Sequence, residues 1–484
     1  MLTRLKVKGF KNLVDVDLHF GPLTCLAGPN GAGKSNVFDA IQFLSELADR
    51  PFVEAAKAIR GGDEPQSLCT GGKPGAVELL AEMVIPRFGF DDFGQPAEAS
   101  ATFLEYELHL VVVPADAPQV GHRIQLIKEE LSYIPKGLAK ERLGSSFSEL
   151  WRNTAVIPTY RRTTFISTEH AGSPEAVVRL QSDRSQTEGK DKRGGGRAYG
   201  FVAGRLPRTV LSSAQNAEET RTAVLLRQEM RRWRQLQLEP SALRRADDFQ
   251  SEDRLAVSGA HVPATLYRLA LDNSSDPGKI YATTANRLAA LVDGVRSVRI
   301  ERDETHKTLR FMMEDLHGLE LPASSLSDGT MRFVALSIIE QDARETGVIC
   351  LEEPENGIHP QRMEAMLSLL YDIAVDAGEE VSDTNPLRQI IVTTHSPLVA
   401  RAVLAADLVF ARTMLRGQAN ERIPSLELAA LPGTWRQEFP TSTVQKGIVL
   451  EYLTGDSVPQ VSPRVPPRVV DQYRQALLPF DLVE

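Results

Sequence analysis

Two hydrophobic periods alternate along the chain. Near the start, "RLKVKGFKNL" and "VDVDLHF" put apolar residues at every second position, the pattern of strands with one face toward water. "LTCLAG" follows, short and apolar throughout, as expected of a strand buried on both faces. The period then becomes helical in "NVFDAIQFLSELADR", where Val37, Phe38, Ile41, Leu44 and Ala48 share one face. "VELLAEMVI", "TFLEYELHLVVV" and "HRIQLIKEELSYI" return to alternation and predict antiparallel strands. After "PATLYRLALD", the runs "VRSVRIERD" and "TLRFMMED" alternate again. A helix ("MRFVALSIIEQDAR"), a buried strand ("GVICLEE"), a helix ("QRMEAMLSLLYDIAVD") and a buried strand ("RQIIVTTHS") follow, an α/β succession. No internal repeat is visible.

Between about 135 and 245 the pattern changes. "GKDKRGGGRAYG" (189–200) predicts a mobile loop, and "ETRTAVLLRQEMRRWRQLQL" an amphipathic helix with a basic face. Charge sharpens the contrast. The chain carries a net charge of -9, yet residues 131–245 hold roughly 21 basic against 11 acidic side chains, about +10, which leaves about -19 elsewhere. Such a segment suits nucleic acid or an acidic partner, and a solvated helical insert with outward arginines explains it equally well. The tail ends in "VPQVSPRVPPRVV", a Pro-rich and extended type of sequence. The expected organisation is therefore a split head, 1–130 and 256–415, around a basic, mainly helical insert at 131–255, with an extension at 416–484.

At 484 residues, two or three structural units are expected. No stretch reaches the ~18 apolar residues of a membrane span, and "MLTRLKVKGF" opens without a signal-peptide run, so no membrane partner and a cytoplasmic protein are expected. Cys25 and Cys350 lie in apolar strand-like runs, in keeping with a reducing compartment, and no Cys/His spacing suggests zinc.

Four motifs carry chemistry. "GPNGAGKS" fits G-x-x-x-x-G-K-[ST] at Gly28, Gly33, Lys34 and Ser35. Small residues let successive backbone N–H groups curl around a phosphate, and the following helix adds its positive end. The cradle spans Gly28, Pro29, Asn30, Gly31, Ala32, Gly33, Lys34, Ser35 and Asn36. Lys34 would reach the β- and γ-phosphates of ATP, and Ser35 would offer its hydroxyl to Mg2+. "VICLEE" closes a buried strand on two carboxylates. Glu352 takes the place that holds the cation's water shell, Glu353 the place that polarises the attacking water as base. "LSDGT" sets Ser327, Asp328 and Gly329 before a helix, either a second anion cradle or a plain N-cap. "IIVTTHS" ends on His395, placed to sense a γ-phosphate or simply to finish a strand. In this order the four are specific together.

They resemble the ABC-type ATPases of the SMC and RecF proteins, and most of all the bacterial OLD-like ATPases, over roughly 1–130 and 255–415. The resemblance implies an α/β P-loop NTPase fold with an ABC-type head, a mixed central sheet flanked by helices plus an antiparallel β lobe. It implies a Walker A loop at Gly28 to Ser35, a signature motif at Ser327-Asp328-Gly329, a Walker B pair at Glu352 and Glu353, a D-loop-like turn at Glu355 to His359 and a switch histidine at His395. The signature reads LSDGT rather than LSGGQ, and Gln66 is the candidate for the glutamine that senses Mg2+. OLD-family nucleases continue into a Toprim domain; no such acidic pair follows His395 here, so the chain is not expected to cut nucleic acid itself. The resemblance further implies a homodimer or higher oligomer, in which two copies close head to tail on ATP and Mg2+ and the Ser327 loop of each, far from its own Walker A loop, completes the site of the other. The leading expectation is an anti-phage ATPase subunit gating a separately encoded nuclease, with DNA as a possible partner of 131–245. A RecF-like DNA-repair clamp and an ATP-bound scaffold are the alternatives.

Overall fold

The computed structural model describes residues 1–114, 122–159, 161–183, 199–273, 276–416, 422–440 and 442–454. At its centre is a seven-stranded sheet, ordered Arg234–Leu236, Gly347–Glu352, Arg388–Thr394, Leu23–Ala27, Leu408–Arg416, Ile423–Ala430, Ser442–Thr443. The first five strands are parallel, and Ile423–Ala430 runs antiparallel to its neighbour Leu408–Arg416. Leu23–Ala27 and Arg388–Thr394 are buried at every position, as their unbroken apolar runs require of parallel strands covered on both faces. Successive residues point to opposite sides. Leu26, Cys350, Ile391 and Val409 join one core, while Cys25, Leu351, Ile390 and Phe410 join another, so the sheet divides the molecule's apolar interior in two.

One side is covered by the helix Lys34–Leu47 and an eight-stranded antiparallel sheet. Its order is Tyr199–Val202, Val177–Leu180, Ile166–Glu169, His122–Tyr133, Phe103–Pro114, Ala76–Val84, Leu2–Phe10, Leu13–His19. In Leu2–Phe10 the alternating apolar residues are buried. On the opposite face Arg4 pairs with Asp17 at 2.6 Å and Glu82 at 2.9 Å. The other side carries helices Val262–Asp272, Pro277–Ala289, Asp328–Gln341 and Met363–Ile373, together with a small antiparallel sheet built on Val295–Asp303 and Thr308–Asp315. The strands and helices expected at 76–133 and 295–394 are found, as is the mixed central sheet with its antiparallel lobe. No helix among the described residues is long and apolar enough to cross a membrane.

The segment 131–255 is not the mainly helical insert that its charge suggested. Ile166–Glu169, Val177–Leu180 and Tyr199–Val202 extend the antiparallel sheet, and Arg234–Leu236 is an edge strand of the central sheet, paired with Ile349–Leu351. The helix expected over 219–238 stops at Arg231 for that reason. Its basic face is partly turned inward. Arg227 is 3% exposed and is neutralised by Asp49 (2.7 Å) and Asp92 (2.5 Å), because a buried guanidinium needs a carboxylate partner. Nor is 416–484 wholly an appendage, since Ile423–Ala430 and Ser442–Thr443 are strands of the central sheet. The Gly-rich run, apart from Tyr199 and Gly200, and the Pro-rich tail lie outside the described residues.

Candidate functional site

Three adjacent parallel strands deliver their carboxyl ends to one place. Thr393 in Arg388–Thr394 pairs with Leu26 on one side and Glu352 on the other, so the residues after each strand are neighbours in space. Open α/β sheets hold ligands at that edge. The loop after Leu23–Ala27 must be glycine-rich for reasons of space. A Cβ on Gly28 would sit 2.1 Å from the Ala411 carbonyl oxygen, and one on Gly33, whose φ is +97°, would sit 1.9 Å from Asn12 Nδ2. That asparagine staples the loop: Asn12 Nδ2 donates to the Ala32 carbonyl (3.1 Å), and Asn36 Nδ2 donates to Asn12 Oδ1 (2.7 Å). Lys34 is folded back, its Nζ donating to the carbonyls of Gly28 (2.7 Å) and Pro29 (2.9 Å). Burial pushes the Lys34 ammonium below the usual lysine value, against the charges of Glu353, Glu355 and Glu352. A lysine so held is ready to exchange two carbonyls for an anion.

The two acids behave differently. Glu352 Oε1 is buried without a hydrogen bond, 3.4 Å from Arg60 Nη1. Glu353 has a φ of +48°, uncommon for a residue with a side chain, and its N–H donates to the Thr393 carbonyl at 2.9 Å. Its carboxylate meets His395 Nδ1 at 2.6 Å and accepts from Asn356 Nδ2 at 3.0 Å. Burial raises the Glu353 carboxyl, but the hydrogen bonds from Asn356 and His395 and the charges of His395 and Lys34 outweigh it and hold it below the ordinary glutamate range. Glu355 is nearly buried, accepts from Thr394 Oγ1 at 2.5 Å, and is raised by that burial.

A cavity of about 310 Å³ lies over the loop. It is lined by Asn30, Gly31, Gly33, Lys34, Ser35 and Asn36 from the glycine-rich run and by Glu352 and Glu353. Lys11, Asp39, Arg60 and Thr393, which the motifs do not mark, complete the wall. Asp39, 1% exposed, is held by Lys11 Nζ at 2.7 Å and Arg60 Nε at 3.1 Å. A larger cavity of about 640 Å³, bordered by Pro22, Tyr371, Asp372 and Asp407, lies where the chain enters Leu23–Ala27 and contains none of the motif residues.

One expected participant is elsewhere. Gln66 does not line the cavity. It sits in the short Pro65–Leu68 turn with its amide donated to Glu64, and Arg60 occupies the neighbourhood of the acids instead. Ser327, Asp328 and Gly329 form the start of the Asp328–Gln341 helix, also outside the cavity. Ser327 caps that helix, accepting from the Thr330 N–H at 3.2 Å, and both Ser327 and Asp328 are exposed. Gly329 is packed so tightly that a Cβ would lie 2.2 Å from the Gly357 carbonyl oxygen, which joins this loop to the turn after Glu353.

The residues suit a polyphosphate with a divalent cation. Gly31 and Gly33 have positive φ, a helix begins at Lys34, one ammonium is held only by carbonyls, and the hydrogen-bond-free Glu352 Oε1 and the Ser35 hydroxyl supply hard oxygen donors.

The family described as "AAA domain, putative AbiEii toxin, Type IV TA system" matches residues 23–80 and 203–401. Shorter stretches are similar to curated proteins: an OLD nuclease of Thermus scotoductus (54% identical over 44 residues, 9% of this chain and 8% of that one), a DNA replication and repair protein RecF of Corynebacterium jeikeium (27% over 85 residues, 17% and 20%), and a chromosome partition protein Smc of Halothermothrix orenii (36% over 74 residues, 15% and 6%). The chain thus matches 8%, 20% and 6% of the lengths of these relatives. Among solved structures, an SMC head bound to the C-winged helix domain of ScpA aligns with 89% of this chain and 98% of its own, at 13% identity and a TM-score of 0.44.

Proposed function

The chain belongs to the AAA-domain family of that description, which matches more than half of its length, and from that premise we propose that it binds and hydrolyses ATP as a nucleotide-gated dimer. The observation that carries this reading is the convergence, on one cavity, of the Gly28–Asn36 loop, Glu352 and Glu353, with His395 bonded to Glu353, while the Ser327 loop stands exposed and apart. A site with a phosphate cradle and a base, and a second cradle that is exposed and outside it, is intelligible when two copies face head to tail and each lends its Ser327 loop to the nucleotide of the other.

In this reading the Gly28–Ser35 backbone amides and Lys34 hold the β- and γ-phosphates, Lys34 giving up the Gly28 and Pro29 carbonyls. Mg2+, held through Ser35 and Glu352, would offset charge on the leaving phosphate oxygens. Glu353, ionised because His395 and Asn356 stabilise its charged form, orients a water and accepts its proton as the water oxygen bonds to the γ-phosphorus and the β–γ bond breaks. His395, tied to the same carboxylate, registers whether the γ-phosphate is present. Arg60, between Asp39 and Glu352, is positioned to balance the acids as charge moves.

We further propose that the chain is the ATPase subunit of a bacterial anti-phage defence system and controls a separate nuclease effector. The toxin-system wording of the family and the similarity to an OLD nuclease over a short stretch support this. A RecF-like DNA-binding role is the second reading, supported by similarity to RecF over 85 residues. Exposed arginines such as Arg205 and Arg245 of the basic segment would serve DNA in either case. The decisive experiment is ATP turnover by the purified chain and by E353Q, with sedimentation in ATP. Hydrolysis lost in E353Q and association gained with ATP are expected; turnover that E353Q leaves unchanged would refute the assignment.

A further inference from the structure

The Ser327 loop departs at one position from a cradle of small residues. Asp328, exposed at the start of a 14-residue helix, puts a carboxylate beside Ser327. Under the head-to-tail reading, on which this inference rests, that carboxylate would approach the polyphosphate held by the second copy, and like charges would oppose closure.

The counter-charge comes from Arg244, at the end of the Pro240–Leu243 helix. Its Nε and Nη2 donate to the Leu326 carbonyl at 3.2 and 2.8 Å, and Nη2 also donates to Asp328 Oδ1. One guanidinium therefore grips the chain on both sides of Ser327. The Arg244 side chain is 26% and that of Asp328 48% exposed, a surface pair of little value to stability in itself. The loop also packs on the turn after Glu353: Gly329 abuts Gly357, and Arg332 Nη1 donates to the Asn356 carbonyl at 3.1 Å. The loop is thus held by Arg244 as well as by the turn after Glu353.

We propose that Arg244 is a positioning residue of the shared site, pinning Asp328 back and cancelling its charge so that Ser327 and the helix N-terminus can meet a phosphate presented by a second copy. Asp328 is thereby conditional. It is compatible with an anion only while Arg244 holds it.

The test uses the full chain carrying E353Q and reads ATP-dependent association by sedimentation, with thermal melting as the check on folding. R244Q should weaken association about tenfold or more, D328N should stay within about threefold of the parent, and R244Q/D328N should return to that range. The R244Q defect should also shrink between roughly 50 mM and 500 mM salt, which a purely structural role would not produce. R244K, which keeps the charge, should recover most of the loss and stands in should R244Q not fold. A double variant as weak as R244Q, or an R244Q or R244K chain that contradicts these directions, overturns the proposal while leaving the dimer intact. A parent chain that does not associate with ATP at all overturns the dimer reading itself.

Discussion

Glu353 and His395 are bonded carboxylate to imidazole, 2.6 Å apart, although 42 residues separate them in sequence. The bond exists because Glu353 adopts a φ of +48° immediately after its strand, which turns the side chain toward the end of the neighbouring strand. A non-glycine residue in that region stores about 1 kcal/mol of backbone strain. The strain places the proposed base at the cavity wall, so it has a use in that reading.

Replacing Glu353 by Gln keeps its size and removes its basicity. E353Q should lower kcat by a factor of about 10² to 10⁴ while leaving the ATP-induced rise in melting temperature within a degree or so of wild type. Single-turnover hydrolysis and thermal melts with and without ATP measure the two halves separately. A variant that loses both would make Glu353 a binding residue.

Removing His395 acts on the base through its titration. Glu353 is held below the ordinary glutamate value partly by this hydrogen bond, so H395A raises its pKa toward that value. A base that protonates at higher pH loses activity at higher pH, and the acid limb of the kcat profile should move upward. An H395A profile that is lower but not displaced would assign His395 to phosphate sensing alone.

Arg60 tests the part of the cavity that no motif announces. Its guanidinium lies 3.1 Å from Asp39 Oδ1 and 3.4 Å from Glu352 Oε1. R60A removes a cation beside developing phosphate charge, and kcat/KM for ATP should fall about 10- to 100-fold. Lys11 still pairs with Asp39 at 2.7 Å, so the fold should survive with a melting point lowered by a few degrees. Unchanged kcat/KM would reduce Arg60 to a structural partner of Asp39.

That arginine also marks how far the sequence could be read. The Gly28–Ser35 loop and the acids after "VICLEE" were legible because each is a contiguous string set on an element whose period identifies it. Lys11, Asp39 and Arg60 meet only through space, from a hairpin, a helix and a loop, and no spacing encodes that. Gln66 fits only by its place in such a loop, where the chain instead presents Arg60 to the acids. In 131–255, charge composition suggested an independent basic insert. Composition does not reveal which arginines are neutralised inside, as Arg227 is, or which short apolar runs pair with distant strands, as Arg234–Leu236 does. The central strands were clear because burial on both faces leaves an unbroken apolar signature.

His19 adds to the pH dependence of stability on the acid side. It is 5% exposed and stacked on Phe439 with ring centroids 3.7 Å apart. Burial, with Arg4 and Arg436 nearby, pushes its pKa down to about 3. The folded state then holds a neutral imidazole that the unfolded chain protonates below about 6.5, so its contribution is complete above that pH and is lost as pH falls toward 3, by about 1.4 kcal/mol per unit. H19F, which keeps the stacking, should flatten the fall of the urea midpoint between pH 6 and roughly 4. An identical slope in both proteins would place the acid sensitivity elsewhere.

The extension beginning at 416 carries the last prediction, because it closes the central sheet and also anchors it. Leu426, Ala429 and Leu431 are fully buried, and Ile423–Ala430 pairs along its length with Leu408–Arg416. Beyond that strand Arg436, 1% exposed, donates to the His19 carbonyl (3.1 Å), to Thr24 Oγ1 (3.0 Å) and to the Ala406 carbonyl. His19 precedes the Leu23–Ala27 strand, Thr24 lies within it and Ala406 precedes the neighbouring Leu408–Arg416 strand, so one side chain ties together two strands, the first of which ends at the glycine-rich loop. R436M would remove all three of these bonds, although Thr24 Oγ1 keeps the Gly21 N–H and the Ala406 carbonyl keeps the Trp435 indole N–H; the loss should amount to about 1–3 kcal/mol in all and lower the melting temperature by several degrees. Ending the chain at residue 415 removes the strand and the arginine together and exposes Val409 and Ala411 on a new sheet edge, so the product should be recovered insoluble. A soluble 1–415 chain melting within about 2 °C of the full protein would show that the extension is separable after all, and that the cradle does not depend on it.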